Sequence, residues 1–116
     1  MERGIIHFMC FWLKNKADYQ KLKDAVDSLA GAPQLADLRS GRPDSSGGPV
    51  MDASFDLGVV VTFRSREDLD EFMASEAHVN AGRVFAETTA AVRGYAPEHA
   101  APHVAFCVRA GESPVC

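Results

Sequence analysis

The chain has little of what marks a specialised class. Of its 116 residues three are cysteines, Cys10, Cys107 and Cys116, odd in number and without C-x-x-C spacing, which fits neither a disulfide framework nor a zinc site. Cys10 lies inside an apolar run and reads as a small buried hydrophobe rather than a reactive thiol. Long apolar stretches are missing too: Phe8 to Leu13 is among the longest, far short of the roughly 18 residues a membrane helix needs. The N-terminus reaches that run after two charged residues, Glu2 and Arg3, with no small-residue cleavage pattern behind it. It reads as a strand and not a signal peptide, and the cytoplasm is the expected compartment. Charge of one sign is lacking as well, with 12 Lys plus Arg against 16 Asp plus Glu and no block of either. A basic face for nucleic acid is therefore disfavoured. No G-x-S-x-G, G-x-G-x-x-G or phosphate loop occurs, and the segment Gly41 to Gly48 lacks the lysine such a loop requires. No cofactor is expected.

What is present is the composition of an ordinary globular domain, 47% hydrophobic and 24% charged. A chain of this length buries roughly two thirds of its unfolded surface, enough for a core without staples. From Ile5 to Leu13 the sequence is apolar on both parities, which implies a strand covered on both faces. Asn15 offers a cap, and Tyr19, Leu22, Ala25, Val26 and Leu29 follow at helical spacing until Gly31 and Pro33, an amphipathic helix of about four turns. Leu35 to Ser40 reads as a short strand, and Gly41 to Ser54 is too rich in turn residues for regular structure. Phe55, Leu57, Val59, Val61 and Phe63 alternate as the richer face of a half-buried strand. Ser65 and Asp68 form a second capping pair, and Leu69, Phe72 and Met73 make an apolar stripe up to a helix break near Ser75. A further helical stretch runs from about Val79 to Ala91, followed by a last short strand ending at Tyr95. The order is β-α-β-β-α-β.

A weak internal repeat supports this order. A shift of fifty positions lays Leu13-Lys14-Asn15-Lys16 and Asp18-Tyr19 over Phe63-Arg64-Ser65-Arg66 and Asp68-Leu69. Two β-α units related in this way are the signature of an α+β, ferredoxin-like domain with an antiparallel sheet. The repeat also fixes facing, because His7, Met9 and Phe11 then match Leu57, Val59 and Val61 and point beneath the helices. Ile6, Phe8, Cys10, Trp12 and Val60 fall on the other face, where no helix of the chain is available. So large an apolar patch needs a cover. Sheet-to-sheet homodimerisation is the expected solution, with the tail after Tyr95 folding over the face as the alternative.

With these residues in place the chain resembles the stress-responsive A/B barrel family, dimeric α+β barrels that include olivetolic acid cyclase. The resemblance covers about residues 4 to 95. It rests on the opening strand with His7, on Pro33 before a strand and Gly41, on Asp56 to Phe63 followed by Arg64-Ser65 and the helix Asp68 to Phe72, and on Ala77-His78-Val79 with Gly82 behind it. It implies a ferredoxin-like domain over 1–95, an extension over 96–116, a homodimer, and an apolar cavity between helices and sheet. In the cyclase such a cavity closes a ring on a polyketide thioester without metal or cofactor, using a histidine that matches His78 and a tyrosine that matches Phe72. A second cyclase histidine matches His7 and a third falls on Leu57. Phe72 has no hydroxyl and cannot supply the tyrosine's hydrogen bond.

The candidate site residues follow. His78 reads either as a general base or as a hydrogen-bonded histidine that fixes the helix break. His7 reads either as ligand-facing or as a strand histidine satisfied by one hydrogen bond. If both face one cavity, they hold the polar end of a ligand whose apolar body rests on Met9, Phe11, Val59, Phe72, Val84 and Phe85. The same residues equally describe a filled core. In the tail, Glu98, His99 and His103 have a metal-like spacing, but Pro102 would disturb the turn carrying both histidines, so no metal is expected. His103 to Val108 reads instead as an extra strand, on this chain or exchanged with a partner. Three functions remain open: a binder of a small apolar or aromatic molecule, a cofactor-free cyclase or lyase with His78 as base, and a non-catalytic structural or stress-related dimer. No nucleic acid or membrane partner is expected.

Overall fold

A computed structural model of the chain describes residues 4–44, 48–49, 51–95 and 98–99. Strand β1 (Gly4–Leu13) leads through a 3-10 turn (Lys16–Asp18) into helix α1 (Tyr19–Asp27), then β2 (Leu35–Gly41) and β3 (Leu57–Phe63). Helices α2 (Arg66–Met73) and α3 (Glu76–Thr88) follow, then β4 (Thr89–Tyr95) and β5 (Glu98–His99). The sheet order is β2-β3-β1-β4, with antiparallel neighbours throughout. This is the expected α+β, ferredoxin-like arrangement. β5 also pairs with β1, and Ile5 opposite Glu98 keeps the register of Phe8 opposite Tyr95, so β5 prolongs the β4 ladder along β1. The strand anticipated over His103 to Val108 lies outside the described residues.

Local chemistry sets the boundaries. Asn15 Oδ1 accepts the Ala17 N–H at 3.0 Å and Ser65 Oγ accepts that of Asp68 at 3.1 Å, so the two halves of the repeat each begin on a side-chain cap. Asn15, however, opens a 3-10 turn, and α1 proper holds nine residues rather than four turns. Beyond it the Leu29 and Ala30 N–H groups bond the carbonyls three residues back, and Leu29 is buried all the same. The apolar spacing is thus served by tight turns as well as by α-helix. The break near Ser75 is a cap: Ser75 Oγ donates to the Phe72 carbonyl at 2.6 Å and accepts the His78 N–H at 3.2 Å. Starting there, α3 ends at Thr88 and not Ala91, and the hydroxyls of Thr88 and Thr89 bond the carbonyls of Val84 and Phe85 at 2.7 and 2.6 Å.

The core lies between helices and sheet, where Phe11, Leu22, Val26, Leu57 and Phe63 are almost wholly enclosed. On the outer face Ile6 and Cys10 are buried, while Phe8, Trp12 and Val60 are half-buried. Here the structure corrects the sequence reading, which left this face without cover from its own chain in the 1–95 region. Trp12 Nε1 donates to Ser54 Oγ at 3.1 Å, and the Phe55 ring meets Trp12 edge-on at 6.4 Å. Phe55 also lies against Gly58, 3.0 Å from where a Cβ would stand. Phe55 therefore does not share the face of Leu57 and Val59. The alternation breaks at Asp56, whose N–H bonds the Phe11 carbonyl at 2.8 Å and whose carboxylate accepts the Leu13 N–H at 2.7 Å. Lys16 completes that anchor at 2.6 Å. Burial alone would raise the Asp56 carboxyl, but the bonds from Lys16 and Leu13, with the charges of Lys16 and Arg42, hold it below its ordinary value.

At the sheet margin, β2 pairs only with β3 among the described residues. It carries an exposed ion pair in which Arg39 Nε donates to Asp37 at 2.9 Å.

Candidate functional site

Between the helices and the sheet the side chains leave a cavity of about 120 Å3. β1 contributes His7, Met9 and Phe11 on alternate positions, spanning about 13 Å of strand. β3 adds Val59, Val61 and Phe63, and β2 adds Leu38. The helical side consists of Val26 and Leu29, then Phe72 and Met73 from α2, then His78 and Phe85 from α3. Met73 is 44% exposed although it lines the cavity, which puts the opening beside the end of α2.

The sequence named seven of these residues together: His7, Met9, Phe11, Val59, Phe72, His78 and Phe85. Val84 is not among the lining residues. Phe85 lies seven positions after His78 and so returns to the same face of α3, whereas Val84 is turned about 100° away. Val26, Leu29, Leu38, Val61, Phe63 and Met73 were not named as site residues, though Val26, Leu29 and Met73 already belonged to the apolar stripes of their helices and Val61 and Phe63 to the richer face of their strand. Ile6, Phe8, Cys10, Trp12 and Val60, named for a dimer contact, are on the opposite face of the sheet.

The polar end is a line of four rings. His7 meets Phe63 edge-on at 5.4 Å, Phe63 meets Phe72 at 5.4 Å, and Phe72 meets His78 at 5.2 Å. At the other end Phe11 packs on Phe85 at 4.9 Å. Among the described residues nothing hydrogen-bonds either imidazole: the bond at His78 uses its backbone N–H, and the helix break is fixed by Ser75. Both histidines are half-buried. Burial, and secondly the neighbouring His78, lowers the His7 imidazole below its ordinary value of 6.5, so it is neutral at pH 7. A neutral imidazole offers one donor and one acceptor, and can take or give a proton.

The remaining reactive groups are quiet. Burial, reinforced by Asp52, pushes the Cys10 thiol up to about 11, so the unpaired cysteine stays protonated. Arg42 stacks 3.6 Å over the Tyr19 ring. Among the described residues no cluster of three His, Cys, Asp or Glu could hold a metal ion, and His103 of the tail trio is outside them. None of their helices is long and apolar enough to cross a membrane.

Comparison with known proteins gives a family and a fold. The stress responsive A/B barrel domain model matches residues 5–94. No curated protein sequence matches. A hydroxynitrile lyase from Passiflora edulis superposes with a TM-score of 0.69 at 17% identity, over 82% of this chain and 92% of that one. A dimeric ferredoxin-like protein of unknown function from Thermobifida fusca gives 0.66 at 19% identity, over 83% and 91%. A cofactor-independent oxygenase from Streptomyces nogalater gives 0.60 at 6% identity, over 90% and 97%. At these identities the likeness is one of fold.

Proposed function

Because the chain belongs to the stress responsive A/B barrel domain family, we propose that it binds a small apolar or aromatic molecule in the cavity between helices and sheet. The polar end of that molecule rests at His7 and His78, and its body lies against Met9, Phe11, Val59, Phe72 and Phe85. The observation that carries this reading is the pair of imidazoles, unpartnered among the described residues, facing a space otherwise walled by hydrocarbon and thioether. Both imidazoles are half-buried, so the polar end of a ligand can take the place of water at them while its body meets the apolar walls. The assembly proposed with it is a homodimer through the outer face, where Ile6, Phe8, Cys10, Trp12 and Val60 sit; the Thermobifida fusca protein of this fold is described as dimeric. A cytoplasmic location suits an unpaired, buried Cys10.

A second reading is catalytic: His78 as general base in a cofactor-free lyase or cyclase. What favours it is the free imidazole of His78 beside the exposed Met73, together with the lyase activity of the Passiflora edulis protein. Phe72 weighs against it, since it stands between the two histidines without a hydroxyl. A fully packed structural dimer is the least favoured reading, because the cavity remains open.

Native mass spectrometry of the purified protein tests assembly and occupancy together. A dimer with added mass is the expected result, and a monomer without adduct would overturn both parts. Replacing His78 by Ala then separates binding from catalysis, because a base variant loses turnover whereas a binding variant loses affinity alone.

A further inference from the structure

Cys10 and Trp12 sit on the face proposed for the dimer contact, yet the chain itself already occupies that end of it. Cys10 is 3% exposed, whereas Phe8 and Val60, paired across β1 and β3 one step further along the same face, are half-buried. Over the Cys10 end lies the segment 52–55, just ahead of β3. Its Phe55 ring rests on Gly58, the cross-strand partner of Cys10, and meets Trp12 edge-on. Ser54 Oγ accepts the Trp12 indole N–H, the Ser54 N–H donates to the Asp52 carboxylate at 2.8 Å, and the Asp52 charge acts on the Cys10 thiol. Ala53 and Ser54 are themselves exposed. The base of the segment is fixed by Asp56, whose carboxylate takes the Leu13 N–H at 2.7 Å and Lys16 Nζ at 2.6 and 2.7 Å. Lys16 is 74% exposed, so its part of the latch is screened by water and weak. A cover of this kind can be exchanged for a larger apolar surface at small cost.

We propose that residues 52–55 form a strap that competes with a second copy of the chain for the end of the outer face at Cys10 and Trp12, closed over it in the single chain and lifted in the dimer. This rests on the homodimer proposed above and adds what restrains it. The strap pivots at Asp56, whose N–H bonds the Phe11 carbonyl at the end of the β1–β3 ladder. Lifting it joins Cys10 and Trp12 to Phe8 and Val60 in one apolar strip, and the free energy of opening is subtracted from that of association.

Hydrogen–deuterium exchange of the intact protein across a dilution series tests this, because the competition inverts the usual sign. A segment that a partner covers exchanges more slowly, whereas the backbone of residues 52–55 should exchange faster in the dimer than in the monomer. Where dilution does not reach the monomer, Phe8→Asp, which lies on the same face outside the strap, supplies it. In sedimentation velocity Lys16→Met, which loosens the latch, should tighten dimer association by about two- to fivefold. Strap exchange that is unchanged or slower in the dimer, or association that Lys16→Met leaves unchanged or weakens, would overturn the competition while the homodimer stands. A chain that is monomeric at every concentration, or a Phe8→Asp chain that stays dimeric, would remove the outer-face homodimer and this inference together.

Discussion

The two faces of the sheet carry similar apolar chemistry and solve its burial differently. On the helical face α1, α2 and α3 enclose Phe11, Leu57 and Phe63 almost completely, yet they stop short of filling the layer and leave two imidazoles looking into a void. On the outer face no helix is present among the described residues. A short stretch of chain lies over Cys10, Gly58 and Trp12, and Phe8, Trp12 and Val60 stay half-buried. Hydrophobic patterning tells that a face must be covered, but not by what. The same alternation of large apolar residues can end in a tight core, a ligand cavity or a subunit contact, depending on the rigidity of what sits above it.

The comparison breaks or sharpens at specific positions. The largest effect is expected for Phe63→Ala, which removes a fully buried ring packed on both His7 and Phe72. It should cost roughly 3–5 kcal/mol in denaturant unfolding. Val60→Ala on the other side of the same strand should cost far less at dilutions where the chain is monomeric. Similar losses at the two positions would show that the faces do not differ. Trp12→Asp is expected to weaken dimer association by roughly a hundredfold or more, since it sets an unpaired charge in an apolar contact. Sedimentation velocity reads this directly, and a Trp12→Asp protein that stays dimeric would remove the outer face from the assembly.

A smaller effect is expected from pH. His7 titrates below 6.5 in the fold and near 6.5 when unfolded. Between those values the unfolded chain holds more protons, so stability falls as pH drops below 6.5 and is complete above it. The groups facing His7 in the cavity are hydrocarbon and thioether apart from His78, so His7→Leu should flatten most of this slope in thermal melts at pH 5 and 7. A slope that survived the replacement would assign it elsewhere. The smallest expected change is Gly58→Ala. The added methyl would press on the edge of the Phe55 ring, a side chain able to swing aside, so stability should shift by about 1 kcal/mol or less. The near-ultraviolet circular dichroism of Trp12 should change visibly, because Phe55 is its ring partner.

Much of this was legible from the residues alone. Strand faces followed from parity and from the fifty-residue repeat, because strand side chains alternate strictly. Asn15 and Ser65 marked their turn and helix because a side-chain oxygen placed just before a helix satisfies otherwise open N–H groups, whereas Ser75 was read only as a break and its capping of α3 came from the structure. The facing of His7 beneath the helices followed in the same way, whereas its meeting with His78 in one cavity stood only as a condition. Phe55 was not legible: its parity matched β3, and only the tertiary anchor of Asp56 on β1 rotates it to the other side. The missing hydrogen bonds of the histidines were equally hidden, since a satisfied histidine and an open one look the same in sequence. Whether the layer was hollow depended on the fit of side chains from six elements, which no local pattern encodes.

The charged pair on β2 has a consequence for how the molecule can aggregate. A strand at the margin of a sheet is a template for growth, since its free backbone groups invite another strand from another copy. Here an incoming strand would meet the exposed charges of Asp37 and Arg39, the kind of side chain that blunts an edge. Elongation into fibrils along that margin is thereby discouraged, whereas a contact through the flat of the sheet, the one proposed above, would close on itself at two copies rather than propagate.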